Sequence, residues 1–137
     1  MEKSKFQFKN QKITQVEFSV NNSFDRSHNE VQLEISMKEK HNKISTNRAI
    51  SELEISVFKK EFNSQIPFYI RIIVEGEFKW EENIDNSELL LKINAPALLL
   101  SYARSMITQL TVFAGFEPLI IPLVDFTKNP KNETIKS

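Results

Sequence analysis

The chain reads as an α+β fold: a four-stranded antiparallel sheet with one long C-terminal helix, packed on the sheet and at a subunit interface. Three observations predict it. Apolar residues recur with period two in four segments between Phe6 and Trp80. The connections between these segments are turn-rich and hold no crossover helix, so neighbouring strands run antiparallel. A single long helix-like run, INAPALLLSYARSMITQLTVFAGF, then spans Ile93 to Phe116. At 137 residues the chain has single-domain length. The expected organisation is one domain over residues 1–126 and a polar tail without regular structure over 127–137.

The first strand is carried by Phe6, Phe8, Val16, Phe18 and Val20, with a polar middle around Asn10–Thr14 where it is free to bend. NNSFDRSHNE follows as a loop in which Phe24 is the odd apolar member. In the second strand Val31, Leu33, Ile35 and Met37 share a face, and the polar KEKHNKISTNR reads as a long hairpin tip. Leu53, Ile55 and Val57 point inward in the third strand, and NSQIP turns the chain. The fourth alternates Phe68, Ile70, Ile72, Val74, Phe78 and Trp80 against Tyr69, Arg71, Glu75, Glu77 and Lys79.

Pro96 suits the first turn of the helix, where a missing N–H costs nothing. Gly115 suits its C-terminal cap. Ser101, Arg104, Ser105, Thr108 and Gln109 form one polar stripe, and nearly all the rest is apolar. A helix lying on a sheet needs an apolar arc of only about 100° or a little more. The surplus, with Leu98, Tyr102, Met106 and Leu110 on it, predicts burial against another subunit. EPLIIPLVDF is then an extended arm, because Pro118 and Pro122 forbid a helix.

Catalytic chemistry is not legible. Cysteine is absent, so there are no disulfides, thiolate nucleophiles or cysteine zinc sites. Gly76 and Gly115 are the only glycines, too few for a phosphate-cradling loop. His28 and His41 lie in polar, loop-like surroundings, and the Glu52/Glu54 and Glu75/Glu77 pairs fall on polar strand faces as solvated charge. The expectation is no enzyme, no cofactor and no metal. Eighteen basic and eighteen acidic side chains cancel, which recommends neither nucleic acid nor a membrane surface as partner. No run has signal-peptide or membrane-span character, so a cytosolic location is expected.

NAPALLLSYARSMITQLTVFAGFEPLIIPLVDF, residues Asn94–Phe126, resembles the end of the export chaperone family SecB. The resemblance rests on Pro96, Tyr102 with Arg104, Ile107 with Thr108, Gly115 with Phe116, then Leu119, Val124 and Phe126. FQFKNQKITQVEFSVN and VEGEF are similar to two of the family's strands. The resemblance implies an ATP-independent holdase for unfolded polypeptides, assembled into dimers through sheets and a tetramer through helices. It also implies delivery to the SecA motor through an acidic patch. Here the patch positions fall on Gln15, Ser19 and Arg71 with Tyr69 between them, and none is acidic, which puts SecA delivery in doubt. The family continues after the arm into a second amphipathic helix, which TKNPKNETIKS is not expected to form. Relatives dedicated to one client, such as an antitoxin, would need neither feature. A folded-partner adaptor is the alternative from another class. A client groove is expected from Phe24, Val31, Leu33 and Ile35 on one wall and Phe113, Phe116, Leu119 and Ile121 on the other.

Overall fold

Alternating side chains build the sheet, and its two faces have opposite character. The structure, a computed structural model, describes residues 6–27, 31–81, 87–122, 124, 126 and 134–136. His28 and residues 127–133 of the expected tail lie outside the described residues. Strands β1 (Phe6–Val20), β2 (Glu34–Ser45), β3 (Arg48–Val57) and β4 (Phe68–Trp80) precede helix α1 (Ser87–Phe113) and a short β5 (Thr134–Lys136). The sheet order is β1-β4-β3-β2-β5, antiparallel throughout.

One face carries Ile35, Met37, Leu53, Ile55, Val57, Ile70, Ile72, Val74 and Phe78, all buried beneath α1. In β1 the apolar phase slips at Ile13, and the structure shows why. Register shifts between Lys9 and Lys12 and between Ile13 and Gln15 each insert a residue against β4. Two bulges cancel, so Phe8 opposite Phe78, Ile13 opposite Val74 and Phe18 opposite Ile70 share the helix-side face. Asn10, at φ 56°, takes the left-handed turn in the first bulge, a conformation asparagine tolerates better than most. This is the bend expected in the polar middle.

Three local expectations are corrected. KEKHNKIS is strand rather than hairpin tip: β2 runs to Ser45, and only Thr46 and Asn47 turn the chain. His41, expected in a loop, is therefore a strand residue. Its Nδ1 lies 2.7 Å from Ser51 Oγ and its Nε2 3.1 Å from Glu39 Oε1. The helix begins at Ser87, well before Pro96, which is buried inside it. Pro96 removes the N–H that Lys92 C=O would accept from, but Leu91, Ala95, Leu99, Ala103 and Ile107 are buried at every fourth position on either side of it. That continuous seam against the sheet outweighs one lost hydrogen bond. Finally, Thr134–Lys136 of the tail pair with Glu34–Ser36 as a short edge strand, where open backbone groups accept any extended segment.

Gly76 is the close approach of strand to strand and helix. A Cβ there would run into the Phe8 ring and come within 3.1 Å of Leu99 Cδ2. The outer face is charged. Glu75 meets Lys12 at 3.4 Å, Arg71 meets Glu54, Arg48 meets Glu77, and Lys60 meets Glu17 at 2.9 Å.

Candidate functional site

The end of α1 and the arm form the rear of a cleft. Gly115 has φ 83° and donates to Val112 O at 3.0 Å, while Phe116 N donates to Thr111 O at 3.0 Å. This is a Schellman cap with glycine at its left-handed residue. The arm is then stitched back along the helix. Thr108 Oγ1 lies 2.7 Å from Leu119 O, and Leu119 N donates to the fully buried Thr111 Oγ1 at 3.0 Å. Two threonines thus fix Leu119 beside the helix end.

The front wall is the loop after β1. Asn21 is buried and donates through Nδ2 to Asn63 O and Ile66 O, both at 2.8 Å, so this loop is tied to the β3–β4 loop. Phe24 leans on Phe116 with ring centroids 6.3 Å apart. Arg26 lies over the Phe116 ring at 4.1 Å, and its Nη1 donates to Gly115 O at 3.2 Å. Phe116 meets Phe68 at 5.2 Å and Phe68 meets Phe58 at 5.2 Å, which makes a connected aromatic floor.

Between these walls is an open cleft of about 470 Å³, within the roughly 300–1,000 Å³ range of ligand sites. Phe24, Val31, Leu33, Phe116 and Leu119 line it together. Of the eight residues expected to form a groove, these five converge. Ile35 and Ile121 do not: both are fully buried in the core. The arm turns inward at Ile121 and again at Phe126, both of which fill the same core rather than the cleft. Phe113 is 82% exposed and does not line the cleft.

Sequence reasoning missed Arg26, Phe58, Pro67, Phe68, Glu117 and Pro118, which also line the space. Phe58 has a traceable signal in the structure alone. It follows β3 directly at φ 61°, a conformation rare for a bulky residue, held by donation of its N–H to Glu34 O at 2.7 Å. Phe68, on the apolar face of the fourth strand, serves as core and floor at once.

The residues expected at a subunit interface divide. Leu98 and Tyr102 are 43% and 42% exposed, whereas Met106 and Leu110 are half-buried against the core. Leu89, Val112 and Phe113 add to the apolar surface that α1 leaves open. On the sheet's outer face Ser19 stands opposite Tyr69 and Glu17 opposite Arg71, with Gln15 opposite Ile73. The positions of the implied motor patch therefore do lie together, and Glu17 and Glu54 beside them are already paired with Lys60 and Arg71.

Glu39, His41 and Ser51 form a carboxylate–imidazole–hydroxyl line, but Ser51 is fully buried and its oxygen cannot reach a substrate. Among the described residues no group of three or more His, Cys, Asp or Glu side chains is arranged to hold a metal ion. No described helix is long and apolar enough to cross a membrane.

Comparison with known proteins adds the following. The sequence matches the family described as SecB, preprotein translocase subunit SecB, over residues 1–132. It is 27% identical over 125 residues to the uncharacterized protein MJ0357 of Methanocaldococcus jannaschii, covering 90% of this chain and 81% of that one. It is 33% identical over 78 residues to the protein-export protein SecB of Rickettsia akari, covering 55% of this chain and 51% of that protein. The match thus spans about half the length of the rickettsial relative. In fold it is similar to the SecB-like chaperone Rv1957 of Mycobacterium tuberculosis, solved with a ChAD peptide from the HigA1 antitoxin Rv1956. The TM-score is 0.66 at 11% identity, covering 88% of this chain and 91% of that one.

Proposed function

This chain belongs to the SecB family, and from that premise we propose that it is a chaperone that holds exposed apolar segments of non-native polypeptides without nucleotide. The observation that carries the reading is the aromatic cleft between the Phe24 loop and the Phe116–Leu119 arm. An open slot lined by aromatic and aliphatic side chains, with polar groups among them, suits extended chains of varied sequence. We assign client binding to Phe24, Val31, Leu33, Phe116 and Leu119, with Phe58 and Phe68 as the floor.

A test compares Phe24→Ala and Leu119→Ala with Ile121→Ala. Truncating the fully buried Ile121 costs roughly 2–5 kcal/mol of stability. The cleft variants lower the melting temperature little yet lose most suppression of aggregation of an unrelated unfolded protein. Loss of activity only in proportion to loss of stability would refute the assignment.

A second reading within the class is a chaperone dedicated to one partner. Two observations favour it: the fold similarity to a chaperone holding an antitoxin peptide, and the outer face without a free acidic patch at Gln15, Ser19 and Arg71. A cytosolic homo-oligomer, with subunits joined through the β1 edge and the open face of α1, completes the proposal.

A further inference from the structure

We propose that Arg26 sets client preference: the cleft selects segments in which an acidic residue neighbours the apolar anchor. This rests on the cleft being the client site. The guanidinium is exposed at the cleft rim but not loose. Its Cζ lies over the Phe116 ring, 4.1 Å from the centroid, and its Nη1 donates to Gly115 O at 3.2 Å, a carbonyl just past the negative end of α1. An arginine fork has five N–H donors, and among the described residues only the one to Gly115 O has an acceptor. No carboxylate of the described residues stands within ion-pair distance of it, although its neighbour Asp25 is close in sequence. Asp25 Oδ1 instead accepts from Ser27 N at 3.0 Å and from Ser27 Oγ. On the outer face of the sheet, by contrast, Arg48 and Arg71 both hold a carboxylate. A cation held at the rim of an aromatic-lined slot, with no ion-pair partner among the described residues, is complementary to a carboxylate brought by the client.

Glu117 also lines the cleft and opposes this preference. It is exposed, and no hydrogen bond or ion pair fixes it among the described residues, so it responds to the client by moving away. Arg26, already immobilised by Phe116 and Gly115, loses less freedom on pairing. The fixed charge governs the choice.

The experiment uses fluorescence anisotropy on the full chain with three labelled extended peptides. Each has one leucine–phenylalanine anchor in a serine–glutamine background, and the residue beside the anchor is Ser, Asp or Lys. The wild type is expected to bind the Asp peptide roughly three- to tenfold tighter than the Lys peptide, with the gap shrinking as salt is added. Arg26→Gln closes the gap, Arg26→Glu inverts it, and Glu117→Gln widens it. The gap is a ratio within one protein, so a general loss of stability does not imitate the result, and Arg26→Gln together with the salt series carries the test if Arg26→Glu fails to fold. Equal binding of the Asp and Lys peptides by the wild type, or a gap untouched by Arg26→Gln, overturns the proposal. If the Ser peptide binds in that case, the client site stands and only the role of Arg26 falls. If no peptide binds, the cleft itself is not the client site and both fall.

Discussion

Glu77 lies on the outer face of β4, where donation from Arg48 and then from Asn10 holds its carboxyl below the ordinary value of 4.5. A depressed folded-state pKa stabilises the fold above the ordinary value, and the contribution disappears as pH falls through the lowered one. Glu77→Gln is therefore expected to flatten the acid limb of a stability–pH curve below about pH 4.5 and to lower the neutral-to-alkaline plateau without changing its slope. Acid unfolding followed by circular dichroism reads this directly, and an unchanged acid limb would assign the sensitivity elsewhere. Gly115 gives a second residue-scale expectation. A Cβ there meets only Arg26 Nη1, at 3.9 Å, so Gly115→Ala costs backbone strain alone, about 1–2 kcal/mol in urea denaturation. No loss would mean that the helix end can be capped at a negative φ. Of these roles, only the cap was legible, because glycine after a helical run carries its own conformational reason. Arg26 was not. Its importance comes from Phe116, far along the chain, and nothing local marks an arginine in a polar loop.

The strands were legible wherever one face is buried, because burial imposes the period. Along β2 the alternation of buried and half-buried residues ends at Met37, and beyond it most positions are wet on both sides. That is where the sequence pattern vanished and strand was read as loop. The helix start was hidden for a different reason. Proline costs about 3 kcal/mol inside a helix, so a local reading starts the helix there. The packing of Leu91 and Ala95 against the sheet, a tertiary effect, overrides the preference. The excess apolar surface of α1 was readable as an arc, and its exposed members now define a target. Leu98→Asp combined with Tyr102→Asp is expected to halve the particle seen by light scattering behind size exclusion, from a tetramer to a dimer. A wild-type particle of 16 kDa would show instead that α1 remains open to water in a monomer.

The molecule as a whole assigns different work to its two faces. The helix side buries the apolar half of β2, β3 and β4 and leaves the cleft at one end, where two loops, the helix cap and the arm meet. The outer side is a charged lattice in which Lys12, Arg48, Arg71 and Lys60 neutralise Glu75, Glu77, Glu54 and Glu17. Exposed pairs of this kind add little stability each, typically 0–1 kcal/mol. Their larger effect is on what the surface can attract. Docking of a basic partner by charge needs unpaired acids, which raise association rate and enforce specificity. Here the implied motor positions are Gln15, Ser19 and Arg71, and the glutamates around them are committed to internal cations. The expected outcome is that titration calorimetry against the SecA motor of the same cell gives no sub-micromolar binding. Replacing Gln15, Ser19 and Arg71 together by acidic residues is expected to create salt-sensitive affinity, because it adds three negative charges on adjacent strands while releasing Glu54 from Arg71. Tight, salt-sensitive binding by the unaltered chain would mean that another surface serves the motor, and the dedicated-partner reading would lose its electrostatic support.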